Sequence, residues 1–212
     1  MLIGLKKKFI FVANTKTAST SIEEALSPFT EITHGGNPWR KHISLYEGLN
    51  AYPQVFEQTG QEPRRFFKFG VMRDPLEWIG SWFRYRKSNR VESPLPADMT
   101  FEEFWKQGDW NFIRAGGAPF LQRDMFCGPE GKVLTDMIIP YDQLGPLFGR
   151  ICAALGIEAA LPRENISRLR TMDEISPDLA ARLRQFYAPD YALMAQLDEI
   201  NQQGLTRLIT PS

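Results

Sequence analysis

One segment near the start of the chain restricts the possible folds most strongly, because it joins a strand pattern directly to a helix pattern. Phe9–Val12 is an uninterrupted apolar run of the kind that forms a buried strand. Ile22, Ala25 and Leu26 then recur at helical spacing. The residues between the two patterns, Thr15–Thr20, are therefore predicted to form a strand-to-helix turn. Such a turn lies at a helix N-terminus.

This turn has the composition of an anion-binding loop. Backbone N–H groups at a helix N-terminus point outward with the positive end of the helix dipole. One lysine and four hydroxyl residues surround them: Lys16, Thr17, Ser19, Thr20 and Ser21. The phosphate loop of nucleoside-triphosphate enzymes, G-x-x-x-x-G-K-[ST], differs, because here no glycine lies between positions 8 and 26 and the lysine precedes the hydroxyls. The turn predicts a phosphate-like ligand, and the alternative is a lysine beside an ordinary capped helix.

A second strand-to-helix junction follows later in the chain. Phe66–Met72 predicts a strand, and Asp74 followed by Pro75 is typical of a helix start. Arg73 then lies at the carboxyl end of the strand, and Ser81 lies along the helix. The planar, permanently charged guanidinium of arginine suits pairs of phosphate oxygens. The alternatives are that Arg73 pairs with Asp74 or another acid and that Ser81 is a helix-surface serine.

The alternation of strands and helices continues and predicts an α/β fold. Val133–Ile139 is a further strand pattern, and helix patterns begin at Leu144 and at Ser176. The chain of 212 residues suits a single domain spanning residues 1–212. We expect three layers, with a central parallel sheet covered by helices on both faces. Ligands of such sheets bind at the carboxyl ends of the strands, where both junctions fall.

The two junctions together resemble the sulfotransferases that use 3′-phosphoadenosine 5′-phosphosulfate (PAPS). Lys16–Ile22, KTASTSI, is similar to the K-T-A-G-T-S-[IL] phosphosulfate loop of the carbohydrate-type branch, with Ser19 in place of glycine. Arg73 and Ser81 fit the R-D-P-x-x-x-x-x-S pattern that binds the 3′-phosphate in that family. Leu161–Ser167 is similar to its L-P-x-x-N-x-S segment. The resemblance implies a P-loop-NTPase-like sulfotransferase fold.

The resemblance also implies a role for each matching residue. The 5′-phosphosulfate would be bound by Lys16, Thr17, Ala18, Ser19, Thr20 and Ser21. The 3′-phosphate would be bound by Arg73 and Ser81, with a further basic contact from either Arg168 or Arg170. Lys16 would also act in catalysis, because its ammonium can stabilise the negative charge that develops on the leaving phosphate oxygen.

The same reaction needs a base for the proton of the acceptor hydroxyl. Ser44 and Glu47 form a capping box pattern, which leaves His42 at the mouth of a predicted helix. The Lys41–Ser44 segment resembles the K-H-x-[ST] segment of the carbohydrate-type branch, whose histidine is the expected base. An imidazole titrates near neutral pH, which suits proton removal. The alternative is a surface or capping role for His42.

Three other residues are weaker candidates for the base. His34 is the other histidine of the chain and precedes two glycines. Glu23 and Glu24 follow the predicted loop closely, so that they are better explained as residues of the first helical turns.

Composition limits the remaining possibilities. The chain has 25 basic and 25 acidic side chains, so no overall field attracts it to nucleic acid. The two cysteines, Cys127 and Cys152, form no metal-binding pattern, and we expect no metal. They are best explained as core residues of a reduced compartment. No apolar stretch approaches the ~20 residues of a membrane span or forms a signal peptide, which predicts a cytoplasmic location.

The sequence therefore predicts a PAPS-dependent sulfotransferase that acts on a hydroxyl of a carbohydrate or glycolipid, because the loops resemble that branch. Two other function classes stay open. A small-molecule kinase on a related fold would bind ATP with Mg²⁺. A non-catalytic nucleotide-binding protein would need Arg73 and Ser81 but neither Lys16 nor His42.

Overall fold

The computed structural model describes residues 1–36, 41–88, 91, 93–108, 120–161 and 175–210. Five strands are present in the described residues: β1 (Leu2–Gly4), β2 (Phe9–Val12), β3 (Ile32–Thr33), β4 (Phe67–Met72) and β5 (Met137–Pro140). The α-helices of the same residues are α1 (Ser19–Leu26), α2 (Leu45–Ala51), α3 (Pro53–Phe56), α4 (Pro75–Arg86), α5 (Phe101–Gln107), α6 (Arg123–Phe126), α7 (Leu144–Ala154), α8 (Pro177–Phe186), α9 (Ala188–Met194) and α10 (Leu197–Ile209). Short 3₁₀ helices cover Ser27–Phe29, Pro63–Arg65 and Tyr141–Gln143.

The strands form one mixed sheet in the order β3-β1-β2-β4-β5. β2, β4 and β5 are parallel, as predicted, whereas β1 is antiparallel to both β2 and β3. The prediction of a parallel sheet is therefore wrong for β1 and β3. The physical reason is that Leu5–Lys8 is too short for the crossover that parallel neighbours need, so the chain turns back on itself.

Helices cover both faces of the sheet, because side chains on alternate strand positions enter two separate cores. One core contains Ile10, Val12 and Met72 together with buried residues of α4, α6, α8 and α9. The other contains Phe11 and Phe69 together with buried residues of α1 and α7. This arrangement is the three-layer α/β architecture that the alternating pattern predicts.

The edge of β5 is covered by α10. The amide of Asn201 donates from Nδ2 to the carbonyl of Ile138 and accepts from the Ile138 N–H, both at 2.9 Å. β5 also begins later than predicted, at Met137 rather than Val133. Val133 forms an isolated bridge with Cys127, and the Leu134 N–H donates to the carbonyl of Phe126, so this segment pairs outside the sheet.

Two further expectations can be compared with the described residues. Cys127 and Cys152 are both buried and form no disulfide, and burial raises the pKa of each thiol. Among the described helices, none combines the length and the apolar character that a membrane crossing requires.

Candidate functional site

The two predicted junctions leave the sheet side by side. β2 and β4 are parallel neighbours in which Val12 pairs with Gly70, so both strands end at the same edge. Just past that edge, Asn14 donates from Nδ2 to the carbonyl of Val71 at 3.1 Å. The loop that contains Lys16 and the segment that contains Arg73 therefore begin at adjacent points of the molecule.

The backbone of the first loop alternates in the way that creates an anion-binding concavity. Lys16 and Ala18 both have a φ of 59°, whereas Thr17 between them has a negative φ. Successive N–H groups in such alternating conformations converge on one point. Helix α1 then starts at Ser19, and Ala18 at its N-cap has no side-chain acceptor for the first helical N–H groups. The loop and the helix terminus together provide several outward N–H donors.

The hydroxyl residues of the loop differ in their surroundings. Thr17 is fully buried, and its hydroxyl donates to the carbonyl of Asn14 at 3.0 Å. This hydrogen bond stabilises the loop. Ser19 is buried, with 6% of its surface exposed, and Ser21 is half-buried. Thr20 is exposed, and its Oγ accepts a hydrogen bond of 3.3 Å from Lys41. The structure thus brings all four hydroxyl residues to the start of α1, but the hydroxyl proton of Thr17 is already donated within the loop.

The ammonium of Lys16 lies against helix α4. Its Nζ is 4.0 Å from the centre of the Tyr85 ring, a cation–π contact. The turn is also held by Trp78 of the same helix, whose Nε1 donates to the carbonyl of Thr15 at 2.9 Å. The indole of Trp78 therefore holds the loop against α4.

Arg73 is buried at the end of β4, with 5% of its surface exposed. Its guanidinium carbon lies 4.4 Å from the centre of the Tyr141 ring, and Nε is 3.3 Å from the Glu77 carboxylate. Asp74 instead caps α4 by accepting from the N–H groups of residues 76 and 77. The alternative to phosphate binding was that Arg73 pairs with Asp74 or another acid. Arg73 does pair with an acid, but that acid is Glu77, whose side chain is 46% exposed.

Ser81 lies on the same stripe of α4 as the residues that contact the two cations. Glu77, Ser81 and Tyr85 are spaced by four residues, so they follow one another along one side of the helix. Ser81 is half-buried between the partner of Arg73 and the partner of Lys16. Two helical turns, about 12 Å, separate those partners.

His42 meets the base of the first loop. Its Nδ1 donates to the carbonyl of Ala13 at 2.7 Å, which leaves Nε2 as the unprotonated nitrogen. Burial lowers the pKa of the imidazole to about 4, the hydrogen bond to Ala13 opposes the shift, and the charges of Lys41 and Lys16 add to it. Half-buried His42 is therefore neutral at physiological pH, and the expectation that it titrates near neutral pH is wrong.

The segment that carries His42 is tied to α1. Lys41 forms an ion pair with Glu23 at 2.5 Å, and the capping box between Ser44 and Glu47 is present as predicted. Glu23 is thus engaged by a lysine. His34, the other histidine, contacts the hydroxyl of Tyr52 through Nδ1 at 2.8 Å.

No family model, curated protein or solved structure matches this chain. Among the described residues, no group of three or more His, Cys, Asp or Glu side chains is close enough together to hold a metal ion.

Sequence reasoning missed Tyr141 and Gln122. Tyr141 directly follows β5, the third parallel strand, so its position at that strand's carboxyl end was a usable signal. Gln122 is 1% exposed and contacts Arg73 and Asn14, and no local pattern marks it. Arg168 and Arg170, the alternatives for a further basic contact, lie outside the described residues, as does most of Leu161–Ser167.

Proposed function

We propose that this protein is a PAPS-dependent sulfotransferase that transfers a sulfuryl group to a hydroxyl of a carbohydrate or glycolipid. The supporting observation is the geometry at the carboxyl ends of β2 and β4. There, an alternating loop with Lys16 and a buried arginine, Arg73, leave neighbouring parallel strands at one edge. The resemblance of both loops to that enzyme family supplies the identity of the nucleotide and the class of acceptor.

The two cationic positions suit the two anionic ends of one nucleotide. The loop around Lys16 offers convergent N–H groups and an ammonium for the 5′-phosphosulfate. In the described part of the chain, the one side-chain hydrogen bond of Arg73 uses Nε, and the two Nη groups would form the pair of donors to a 3′-phosphate. Ser81, one helical turn after Glu77 on α4, would donate to the same phosphate.

The proposed reaction is an in-line displacement at sulfur. The acceptor oxygen forms a bond to sulfur while the bond from sulfur to the bridging phosphate oxygen breaks. The hydroxyl proton moves to Nε2 of His42, which the Ala13 carbonyl keeps unprotonated by binding Nδ1–H. The electron pair of the broken bond stays on the phosphate oxygen, where the Lys16 ammonium stabilises it.

The binding part of the proposal is tested by thermal unfolding with adenosine 3′,5′-bisphosphate in the presence of a chelator. A ligand at 100 times its Kd stabilises the folded state by about 2.7 kcal/mol. For a chain of this size we expect the Tm to rise by roughly 5–10 °C. Arg73→Ala should reduce the shift. If the bisphosphate leaves the Tm unchanged and ATP with Mg²⁺ raises it, the kinase alternative is favoured instead.

The transfer reaction is tested with PAPS that carries labelled sulfate. Carbohydrate and glycolipid fractions of the source cell serve as acceptors, and label should appear in a hydroxyl-bearing product. Nucleotide binding without transfer to any fraction, together with normal binding by Lys16→Ala, would favour the non-catalytic function.

A further inference from the structure

Gln122 holds a buried position between the two junctions. It precedes α6, and its own main chain is fixed by Asp190 of α9. The Oδ2 atom of Asp190 accepts from the Gln122 N–H at 3.2 Å, and Oδ1 accepts from the Arg123 N–H at 2.8 Å. The side-chain amide of Gln122 therefore projects from an immobilised main chain.

That amide holds both main-chain polar groups of Arg73. Its Nε2 donates to the Arg73 carbonyl at 2.8 Å, and its Oε1 accepts from the Arg73 N–H at 3.1 Å. Pairing of β4 with β5 ends at Met72 and Pro140, so Arg73 lies beyond the strand ladder. The amide replaces the missing strand partner, which a buried N–H and carbonyl require.

The same oxygen reaches the other loop. Asn14 donates from Nδ2 to Gln122 Oε1 at 3.0 Å, and the Asn14 carbonyl accepts the Thr17 hydroxyl proton. One side chain thus contacts the main chain that carries Arg73 and the loop that contains Lys16.

We propose that Gln122 is the positioning residue that aims the Arg73 guanidinium at the 3′-phosphate of the nucleotide, an inference that rests on the proposed function. Without the amide, the main chain of Arg73 loses two hydrogen bonds in a buried site, and the strand end can rotate. The guanidinium then leaves the face of Tyr141 and the orientation that meets phosphate oxygens in pairs. Gln122 itself does not contact the nucleotide.

The test compares two ligands, adenosine 3′,5′-bisphosphate and adenosine 5′-monophosphate, by titration calorimetry. The ratio of their Kd values reports the contact with the 3′-phosphate alone. Gln122→Met keeps the side-chain length and removes the two hydrogen bonds to Arg73 and the one from Asn14. We expect the ratio to fall at least about tenfold, as in Arg73→Ala. Gln122→Glu keeps the acceptor and places an oxygen opposite the Arg73 carbonyl, so it should lose the preference as well.

Asn201→Leu is the matched control, because Asn201 makes the same two-bond contact with Ile138 in the middle of β5, away from the strand ends. It should lose stability and retain the ligand ratio within about twofold. A folded Gln122→Met or Gln122→Glu that keeps the wild-type ratio would overturn the inference. A wild-type protein that shows no preference for the bisphosphate would instead overturn the proposed function.

Discussion

At the scale of single residues, backbone strain is concentrated in the first loop. A non-glycine residue in the left-handed region costs roughly 1–2 kcal/mol, and Lys16 and Ala18 both adopt it. Ser19 stands where the similar motif has glycine, yet it is an ordinary first helical residue. The loop therefore accommodates serine without strain at that position, and the strain falls on Lys16 and Ala18.

The role of His42 can be tested by its removal. If Nε2 accepts the hydroxyl proton, His42→Ala should lower kcat by about 10²–10⁴-fold. The affinity of the variant for adenosine 3′,5′-bisphosphate should stay unchanged. The imidazole of His42 binds the Ala13 carbonyl, which is not one of the groups proposed to bind the phosphates. Steady-state kinetics and calorimetry measure the two effects separately. His34→Ala is the control and should retain kcat, since His34 contacts Tyr52.

The pH dependence of the wild-type reaction gives a second check on His42. Burial lowers the pKa of its imidazole to about 4, so the base is unprotonated throughout the neutral range. The kcat/KM for the acceptor at saturating nucleotide, to which the titration of the free nucleotide's 3′-phosphate does not contribute, should be level from pH 8 to about pH 5 and fall below it. A fall centred near pH 6.5 would show that burial does not lower the pKa of His42. An unchanged kcat in His42→Ala would exclude His42 as the base.

At the scale of secondary-structure elements, the close approach of α10 to the segment before β5 depends on one glycine. A Cβ atom at Gly204 would lie 2.1 Å from the Asp136 carbonyl oxygen. Gly204→Ala should therefore push the helix outward and lower the free energy of unfolding by about 1–3 kcal/mol. Denaturant unfolding measures the change.

Gly149→Ala is the matched comparison for that helix. Gly149 is exposed within α7, and a Cβ atom there would meet nothing within 4 Å. Alanine should raise the free energy of unfolding by up to about 1 kcal/mol through helix propensity. The two glycine-to-alanine substitutions should thus change the free energy of unfolding in opposite directions. Changes in the same direction would show that α10 does not pack as described.

At the scale of the whole molecule, the stability of the fold should depend on pH through Asp190. Burial raises the pKa of its carboxyl group to about 7, and the N–H groups of Arg123 and Gln122 oppose that shift in part. Between pH 3.8 and pH 7 the folded state keeps a proton that the unfolded state releases. Stability from this group is therefore present at low pH and is lost as the pH rises through 7, by roughly 1.4 kcal/mol per unit of pKa difference.

Asp190→Asn removes this titration. The free energy of unfolding of the wild type, relative to that of Asp190→Asn, should decrease as the pH rises from 4 to 8. His42 acts in the opposite direction, because its lowered pKa removes stability as the pH falls from 6.5 towards 4, but it is present in both proteins and cancels. A constant difference between the two curves would show that Asp190 is ionised in the folded state throughout.

Local patterns were sufficient to predict the parts of this protein that depend on nearby residues. The apolar run Phe9–Val12 forms a strand in which all four side chains are buried, as a short, continuous apolar run predicts. Asp74 and Pro75 start a helix because a capping carboxylate and a proline suit its first turn. The capping box at Ser44 follows from the same kind of rule. These features need only contacts within a few residues.

Contacts between distant residues were decided by the tertiary structure. The antiparallel β1, the stacking of Arg73 on Tyr141 and the amide of Gln122 across Asn14 and Arg73 join segments far apart in sequence. Nothing in the neighbourhood of Gln122 marks it, because its role exists only once packing has brought α6 between two strand ends. The sequence by itself determined the two strand-to-helix junctions and their charges. Only the tertiary structure decided that β2 and β4 are direct neighbours, because pairing between strands depends on long-range burial that no local pattern encodes.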